Sequence, residues 1–473
     1  MINREGIRAR WFISAPSEMH WLIQRIRDFG DRIALAGHEG EVSYWHLGER
    51  ILHCVEQARQ CEVKPGSVVA IVGDYSPVSV AWFLALAELK CIVVPLAGSA
   101  AEHPQKLRLA GVNYVVQAQT PILQKLEATG DRPCLLDQLS VKGGAGLILF
   151  SSGSSGEPKG MLHDLDALLD TYQEQRPKNL VLMVLLLFDH IGGINTLFHS
   201  LATGAKLVVP GNRSPDEVAA LIERHRVAVL PASPTFLNLL LVSANHRQHD
   251  LSSLRIITYG TEPMAATLLQ RLRNAFPKAR LIQTFGTSET GIFRTSSPSS
   301  DSLWMRMDDP NREWKIVDGE LWLRSRTQIL GYLNYPMDRF TSDGWFRTGD
   351  QAEQRPDGSL RILGRRGELI NVGGEKVWPA EVESVVLTIA GVVDCRVSGE
   401  ANPITGQSVV AEVVAMPGVD LESLKMEIRR TCRARLSAYK TPTRVTFLES
   451  LGNERLKKTR KPGSLSGPGA ARS

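Results

Sequence analysis

Short apolar runs alternate with helical patterns through most of the first 300 residues, and that alternation restricts the fold more than any other feature. The runs lie at residues 67–72, 91–95, 112–116, 206–209, 227–230, 255–259 and 280–284. Between them, Ser214-Pro215-Asp216-Glu217 is a capping-box pattern with proline at the first helical position, and the apolar-periodic run VAALIERHR follows it. Short strands separated by helices predict α/β layers with largely parallel sheets. Residues 319–363 read differently. GELWLRS, TSDGWFRTGD and PDGSLRILG are short strands joined by Gly/Asp turns, which predicts a small β-rich subdomain.

The pattern restarts beyond 364–367. KVWPAEVESVVLTI begins a helix with Pro379 near its first turn, strands follow at 392–397 and 408–414, and a helix runs from 421 to about 435. The expected organisation is a large N-terminal α/β domain over residues 1–363, with the β-rich subdomain inside it, and a hinge at 364–367. A small mobile α+β domain over 368–461 and a Gly/Pro/Ser-rich disordered tail at 462–473 complete it. A chain of 473 residues suits two or three domains.

Composition narrows the function. Hydrophobic residues at 43% and charged residues at 22% are ordinary for a soluble globular protein. The net charge of +5 is too weak to argue for nucleic acid as a partner. The basic run RLKKTRK near the C-terminus lacks interleaved aromatics. Cys54, Cys61, Cys91, Cys134, Cys395 and Cys432 form no CxxC pair and no His/Cys metal spacing, so they read as reduced thiols of a cytoplasmic protein. The N-terminal residues carry no apolar core of a signal peptide, and the longest apolar run, around 180–188, is too short to span a membrane.

The stretch LILFSSGSSGEPKG, residues 147–160, carries the clearest chemistry. Its four apolar residues predict a buried strand that runs into Ser151, Ser152, Gly153, Ser154, Ser155 and Gly156, with Lys159 just beyond. Small residues expose backbone N–H groups and hydroxyls with little bulk, and a nearby lysine adds charge, which suits a polyphosphate. The spacing is not that of a Walker A loop. Further along lie FDHIGG at 188–193, YGTEPM at 259–264, QTFGTSETG at 283–291, WFRTGD at 345–350, GRRGELI at 364–370, NVGGEKVWPAEVE at 371–383 and LGNERLKKTRK at 451–461.

In this order the motifs resemble those of the adenylate-forming enzymes, the superfamily of acyl-CoA synthetases, peptide-synthetase adenylation domains and luciferases. The resemblance covers nearly the whole chain. It implies ATP-dependent activation of a carboxylic acid to an acyl-adenylate, then transfer of the acyl group to coenzyme A. A carrier-protein phosphopantetheine or an amine is the alternative acceptor, and a non-catalytic nucleotide-binding protein is the alternative from another class. The implied cofactors are ATP, Mg²⁺ and coenzyme A, and the implied partner is a small carboxylic acid, with an acyl carrier protein as a further possibility.

The same resemblance distributes the roles. Ser151, Ser154 and Ser155 would hold the β- and γ-phosphates and Lys159 the pyrophosphate, with His163 shortly after. His190 would line the acyl or thiol channel, and Gly192 and Gly193 would let a ligand approach the backbone. Asp189 raises an amino-acid variant, in which it would pair with a substrate amine. Gly260, Thr261 and Glu262 would flank the adenine, on a turn that opens a helix. Thr284, Phe285, Gly286, Thr287 and Ser288 correspond to the YGxTE region: Phe285 would stack on adenine and Ser288 would reach the α-phosphate. Glu289 would ligate Mg²⁺, and Thr287 and Ser288 also read as a helix cap with Glu289 in the first turn. Asp350 would take the ribose hydroxyls, and Arg365, near the hinge, would also touch ribose or phosphate. Gly367 would ease a domain rotation, and Gly373 and Gly374, read as part of a strand, would face the pantetheine tunnel. Lys458 would be the catalytic lysine, with Lys457 as the alternative register. ILGYLN, at 329–334, reads as a family signature with little chemistry of its own. Small residues at Ala232, Ser233 and Gly286 hint at an aryl or alkyl pocket of moderate depth.

Overall fold

The computed structural model describes residues 20–118, 122–127, 132–152, 157–243 and 245–451. Gly153, Ser154, Ser155, Gly156, Lys457, Lys458 and the expected tail lie outside the described residues.

Two seven-stranded sheets form the large domain. The first runs, in spatial order, Arg280–Gln283, Ile256–Tyr259, Val229–Ala232, Val181–Met183, Lys206–Val209, Ile33–Gly37 and Gly40–Ser43. All its pairs are parallel except the last. The second runs Gly331–Tyr332, Pro158–Asp164, Gly146–Ser152, Ile92–Leu96, Val68–Val72, Tyr114–Gln117 and Leu123–Lys125, with a parallel centre and antiparallel flanks. The apolar runs of the sequence are these strands, displaced by one or two residues at their ends.

Helices Pro77–Glu88 and Ile191–Thr203 share one core cluster with residues of both sheets, and each is buried along most of its length. A helix without a polar face must lie inside, and these two have little charge to expose. The Ser214 hydroxyl caps helix Pro215–His225 by accepting from the Glu217 N–H at 3.2 Å. The expected return bond is absent. The Glu217 carboxylate instead accepts from the N–H groups of Gly211 and Asn212, each at 2.7 Å, and so ties down the preceding loop.

The β-rich subdomain is a four-stranded antiparallel sheet of Arg312–Val317, Glu320–Ser325, Phe346–Gln354 and Leu360–Arg365. Its last strand continues through Gly364 and Arg365, so the first half of the expected hinge belongs to the sheet; Arg366–Glu368 is a single 3₁₀ turn. The C-terminal unit pairs Glu375–Val377, Ile370–Val372, Gly406–Ala415, Val392–Asn402 and Arg444–Phe447, with helices Pro379–Val386 and Leu421–Arg435 packed on them. It docks on the large domain by apolar contact and by backbone-directed bonds. The Asn238 amide donates to the Val393 carbonyl at 2.9 Å, and the Thr267 hydroxyl donates to Ser384 at 3.1 Å.

Candidate active site

The hairpin that carries the candidate phosphate-binding residues is built by strands Gly146–Ser152 and Pro158–Asp164, in a register that sets Ser151 opposite Lys159. The short strand Gly331–Tyr332 extends the same sheet, with Tyr332 opposite Met161. Asn334 completes a clip. Its side-chain oxygen accepts from the Gly160 N–H at 3.1 Å, and its amide donates to the Pro158 carbonyl at 3.0 Å. The segment classed as structural in the sequence therefore holds the exit of the phosphate loop.

It also supplies contacts. The Lys159 ammonium lies 3.5 Å from the centroid of the Tyr332 ring and 5.4 Å from that of Tyr335. An ammonium on an aromatic face is attracted by the ring quadrupole. Desolvation holds the Lys159 amine below its ordinary pKa, while the Glu289 carboxylate works against that shift. The Tyr332 hydroxyl donates to Glu289 Oε1 at 3.1 Å, and burial plus that carboxylate push its pKa well up, so it remains a donor.

Glu289 does not begin a helix. It sits in the turn of a hairpin between Phe285–Thr287 and Gly291–Phe293, where Thr287 Oγ1 accepts from the Thr290 N–H at 3.1 Å. The cap chemistry read from Thr287 is present, but it closes a β-turn because Phe285 pairs back onto Phe293. Gly286 lies where an added Cβ would come within 2.7 Å of the Ile292 Cα.

The turn after Ile256–Tyr259 also differs from expectation. Helix Ala266–Ala275 starts only after Met264 and Ala265, so Gly260, Thr261 and Glu262 form a loop at the strand end. Gly260 is required by close approach, since a Cβ would lie 2.5 Å from Thr284 Oγ1 and 2.7 Å from the Thr284 carbonyl oxygen. Thr261 adopts φ 72°, unusual for a β-branched residue. Glu262 Oε2 accepts from the Thr235 hydroxyl at 2.6 Å and from the Thr235 N–H at 3.2 Å, at the start of helix Pro234–Val242. In this structure Glu262 thus anchors a helix end.

Asp350 and Arg365 are cross-strand partners, and Arg365 Nε lies 3.4 Å from Asp350 Oδ1. Burial pushes the Asp350 carboxyl up to about 6, against the opposing charge of Arg365 and then of Arg339. Thr348 braces this end, its hydroxyl donating to the Leu321 carbonyl at 2.6 Å and accepting from the Asp350 N–H at 3.0 Å. Arg339, unassigned in the sequence, influences both Asp350 and Lys159. Its guanidinium is fixed by a 2.9 Å bond to the Arg347 carbonyl and by the Phe346 ring 4.9 Å away.

His190 caps helix Ile191–Thr203. Its Nδ1 accepts from the Gly192 N–H at 3.0 Å, which leaves the proton of the neutral ring on Nε2. Gly373 and Gly374 are not in a strand. They form the turn between Ile370–Val372 and Glu375–Val377, both at positive φ, with the Gly373 N–H donating to Thr405 and the Gly374 N–H to Asn371. A tight hairpin demands that conformation, and this is the first reason for glycine there.

The donor set fits the expected ligands. Among the described residues no group of three or more His, Cys, Asp and Glu side chains could hold a metal ion. Glu289, with one oxygen engaged by Tyr332, suits a hard cation held mainly by phosphate oxygens and water. The sequence missed Tyr332, Asn334 and Arg339. The signal was present in GYLNY, where two tyrosines three apart bracket an asparagine.

Comparison with known proteins places the chain among relatives. Residues 145–333 match the model of the AMP-binding enzymes, and residues 381–460 match that of the AMP-binding enzyme C-terminal domain. The chain is 28% identical over 486 residues to the indoleacetate–CoA ligase of Aromatoleum aromaticum, spanning 91% of this chain and 94% of that one. The anthranilate CoA ligase AuaEII, solved with anthranoyl-AMP, superposes with a TM-score of 0.78 at 21% identity over 93% of this chain and 95% of that one. The o-succinylbenzoate CoA synthetase of Bacillus subtilis, solved with its acyl-adenylate, gives 0.75 at 25% identity over 96% and 99%.

Proposed function

The chain belongs to the adenylate-forming superfamily of AMP-binding enzymes, and from that premise we propose that it is an AMP-forming acid–thiol ligase for an aryl or alkyl carboxylic acid. The observation that carries this reading is the joining of Lys159 and Glu289 through Tyr332 at the phosphate hairpin, beside a buried Asp350 paired with Arg365.

A carboxylate oxygen of the substrate attacks the α-phosphorus of ATP, the bond from that phosphorus to the bridging oxygen breaks, and pyrophosphate leaves. Both reactants are anionic, so the protein's part is alignment and charge neutralisation. Lys159 and the hydroxyl of Ser151 would meet the leaving phosphates, and Arg339 is placed to contribute. Asp350 and Arg365 would hold the ribose, and the loop of Gly260, Thr261 and Glu262 with the strand Phe285–Thr287 would flank the adenine. Glu289 would hold Mg²⁺, which neutralises phosphate charge when bound. Lys458, outside the described residues, would bridge the substrate carboxylate and the α-phosphate. In the second step a thiol attacks the acyl carbon, loses its proton and expels AMP. A rotation about Arg366–Glu368 would bring the Gly373–Gly374 turn to the thiol path.

The test is a pyrophosphate-release screen over aryl, alkyl and amino acids, with coenzyme A, a phosphopantetheinylated carrier protein, or no acceptor. Acid-dependent pyrophosphate release that yields a coenzyme A thioester supports the reading; none with any acid would sink it. Lys458→Ala is expected to cut adenylate formation by orders of magnitude while thioester formation from supplied adenylate persists.

A further inference from the structure

We propose that Tyr332 is a positioning residue for the first half-reaction: its ring carries the Lys159 ammonium and its hydroxyl orients Glu289. The inference rests on reading the cleft as an ATP-dependent acid-activating site.

The geometry requires a residue with two different surfaces. Lys159 Nζ stands 3.5 Å from the ring centroid, while the hydroxyl at the ring edge meets Glu289 Oε1 at 3.1 Å. Among the described residues Lys159 and Glu289 form no ion pair, although the carboxylate's charge reaches the amine. With Tyr332 between them, neither charge is spent on the other. The lysine remains available to a phosphate oxygen and the carboxylate to a hydrated cation. A direct Lys–Glu bridge would have to be broken before either could act, at the cost of two partly desolvated charges.

The tyrosine is itself rigidly placed. It is 7% exposed, paired in register with Met161, and packed edge-on to Phe340 at 6.4 Å. Asn334 ties the same segment to Pro158 and Gly160. Lysine, carboxylate and phosphate loop are therefore aligned by one five-residue clip. Phenylalanine would keep the cation–ring contact and lose the bond to Glu289. Leucine would lose both.

Full-length wild type, Tyr332→Phe and Tyr332→Leu are compared by calorimetric titration with ATP at several Mg²⁺ concentrations, by pyrophosphate release, and by thioester formation from supplied acyl-adenylate. Tyr332→Phe is expected to raise the half-saturating Mg²⁺ about tenfold with little change in ATP affinity at saturating Mg²⁺. Tyr332→Leu is expected to weaken ATP binding about tenfold as well. Both should leave the second half-reaction within about twofold of wild type. The phenylalanine variant removes one oxygen atom, so a matching melting temperature separates positioning from misfolding. Unchanged Mg²⁺ dependence in both variants, or equal losses in both half-reactions, would overturn the proposal. If wild type binds Mg²⁺-ATP but releases no pyrophosphate with any acid, the ligase reading fails while the titrations still decide the role of Tyr332. If wild type binds no ATP, both fall.

Discussion

The two ends of the proposed nucleotide site are built in opposite ways. At the proposed ribose end, Asp350 and Arg365 face each other across adjacent strands, and the Asp350 side chain is buried while that of Arg365 is 67% exposed. At the phosphate end, Lys159, Tyr332 and Glu289 come from three distant segments, joined by a strand pairing and a hairpin turn. Burial makes the Asp350 charge costly, and in the proposed complex the ribose hydroxyls would offset that cost. The phosphate end keeps its charges apart and ready.

Lys159→Ala should break the comparison most strongly. Adenylate formation is expected to fall about 100-fold or more, as when a transition-state donor is removed, with AMP affinity nearly unchanged. Pyrophosphate release and AMP calorimetry measure the two, and a parallel loss of AMP binding would show that the ends do not act separately. Asp350→Asn should do the converse, weakening ATP and AMP alike by about tenfold or more through loss of charged hydrogen bonds. In the wild type, adenosine affinity should drop as pH falls through about 6, where the Asp350 carboxyl takes up its proton, and the asparagine variant should not show this step.

Stability should move the opposite way to binding. The folded pKa of Asp350 is raised, so its contribution is present at low pH and lost as pH rises through about 6. The free Asp350→Asn protein should therefore melt above wild type at pH 8, by roughly 2–3 kcal/mol at most, and lose that margin below about pH 4. A comparable effect is expected at His163, fully buried on the second strand of the hairpin that carries Lys159, whose two ring nitrogens have no hydrogen-bond partner among the described residues. Burial pushes its pKa down to about 4. Its sign is reversed: stability is lost as pH falls from about 6.5 toward 4, because only the unfolded chain is readily protonated. His163→Leu should match wild type within about 1 kcal/mol at pH 8 and exceed it at pH 4.5. Denaturant titrations at the two pH values check this, and equal pH slopes for both proteins would contradict it.

Much of the large domain was legible because strand and helix periodicity are local properties. The runs at 206–209 and 255–259 became strands nearly residue for residue. The β-rich subdomain was legible too, since WFRTGD and GRRGELI begin and end neighbouring strands of one meander. The errors share a cause. Thr287 and Glu289 look like a helix start until Phe285 is paired with Phe293, and Gly373 and Gly374 look like strand residues until their positive φ angles close a hairpin. Glu217 completes a capping box on paper, yet its carboxylate satisfies loop N–H groups nearby instead. In each case the outcome turned on a pairing or backbone conformation that local sequence does not rank.

From the amino-acid order alone came the layered α/β class, the family resemblance and the identities of Lys159, Glu289, Asp350 and Arg365, because these depend on residue type and short-range spacing. Tertiary structure decided which of them touch. Tyr332 lies far from Lys159 along the chain, and only the pairing of Gly331–Tyr332 with Pro158–Asp164 sets its ring under the ammonium and its hydroxyl against Glu289. Such a contact depends on closing a long loop, which no periodicity records.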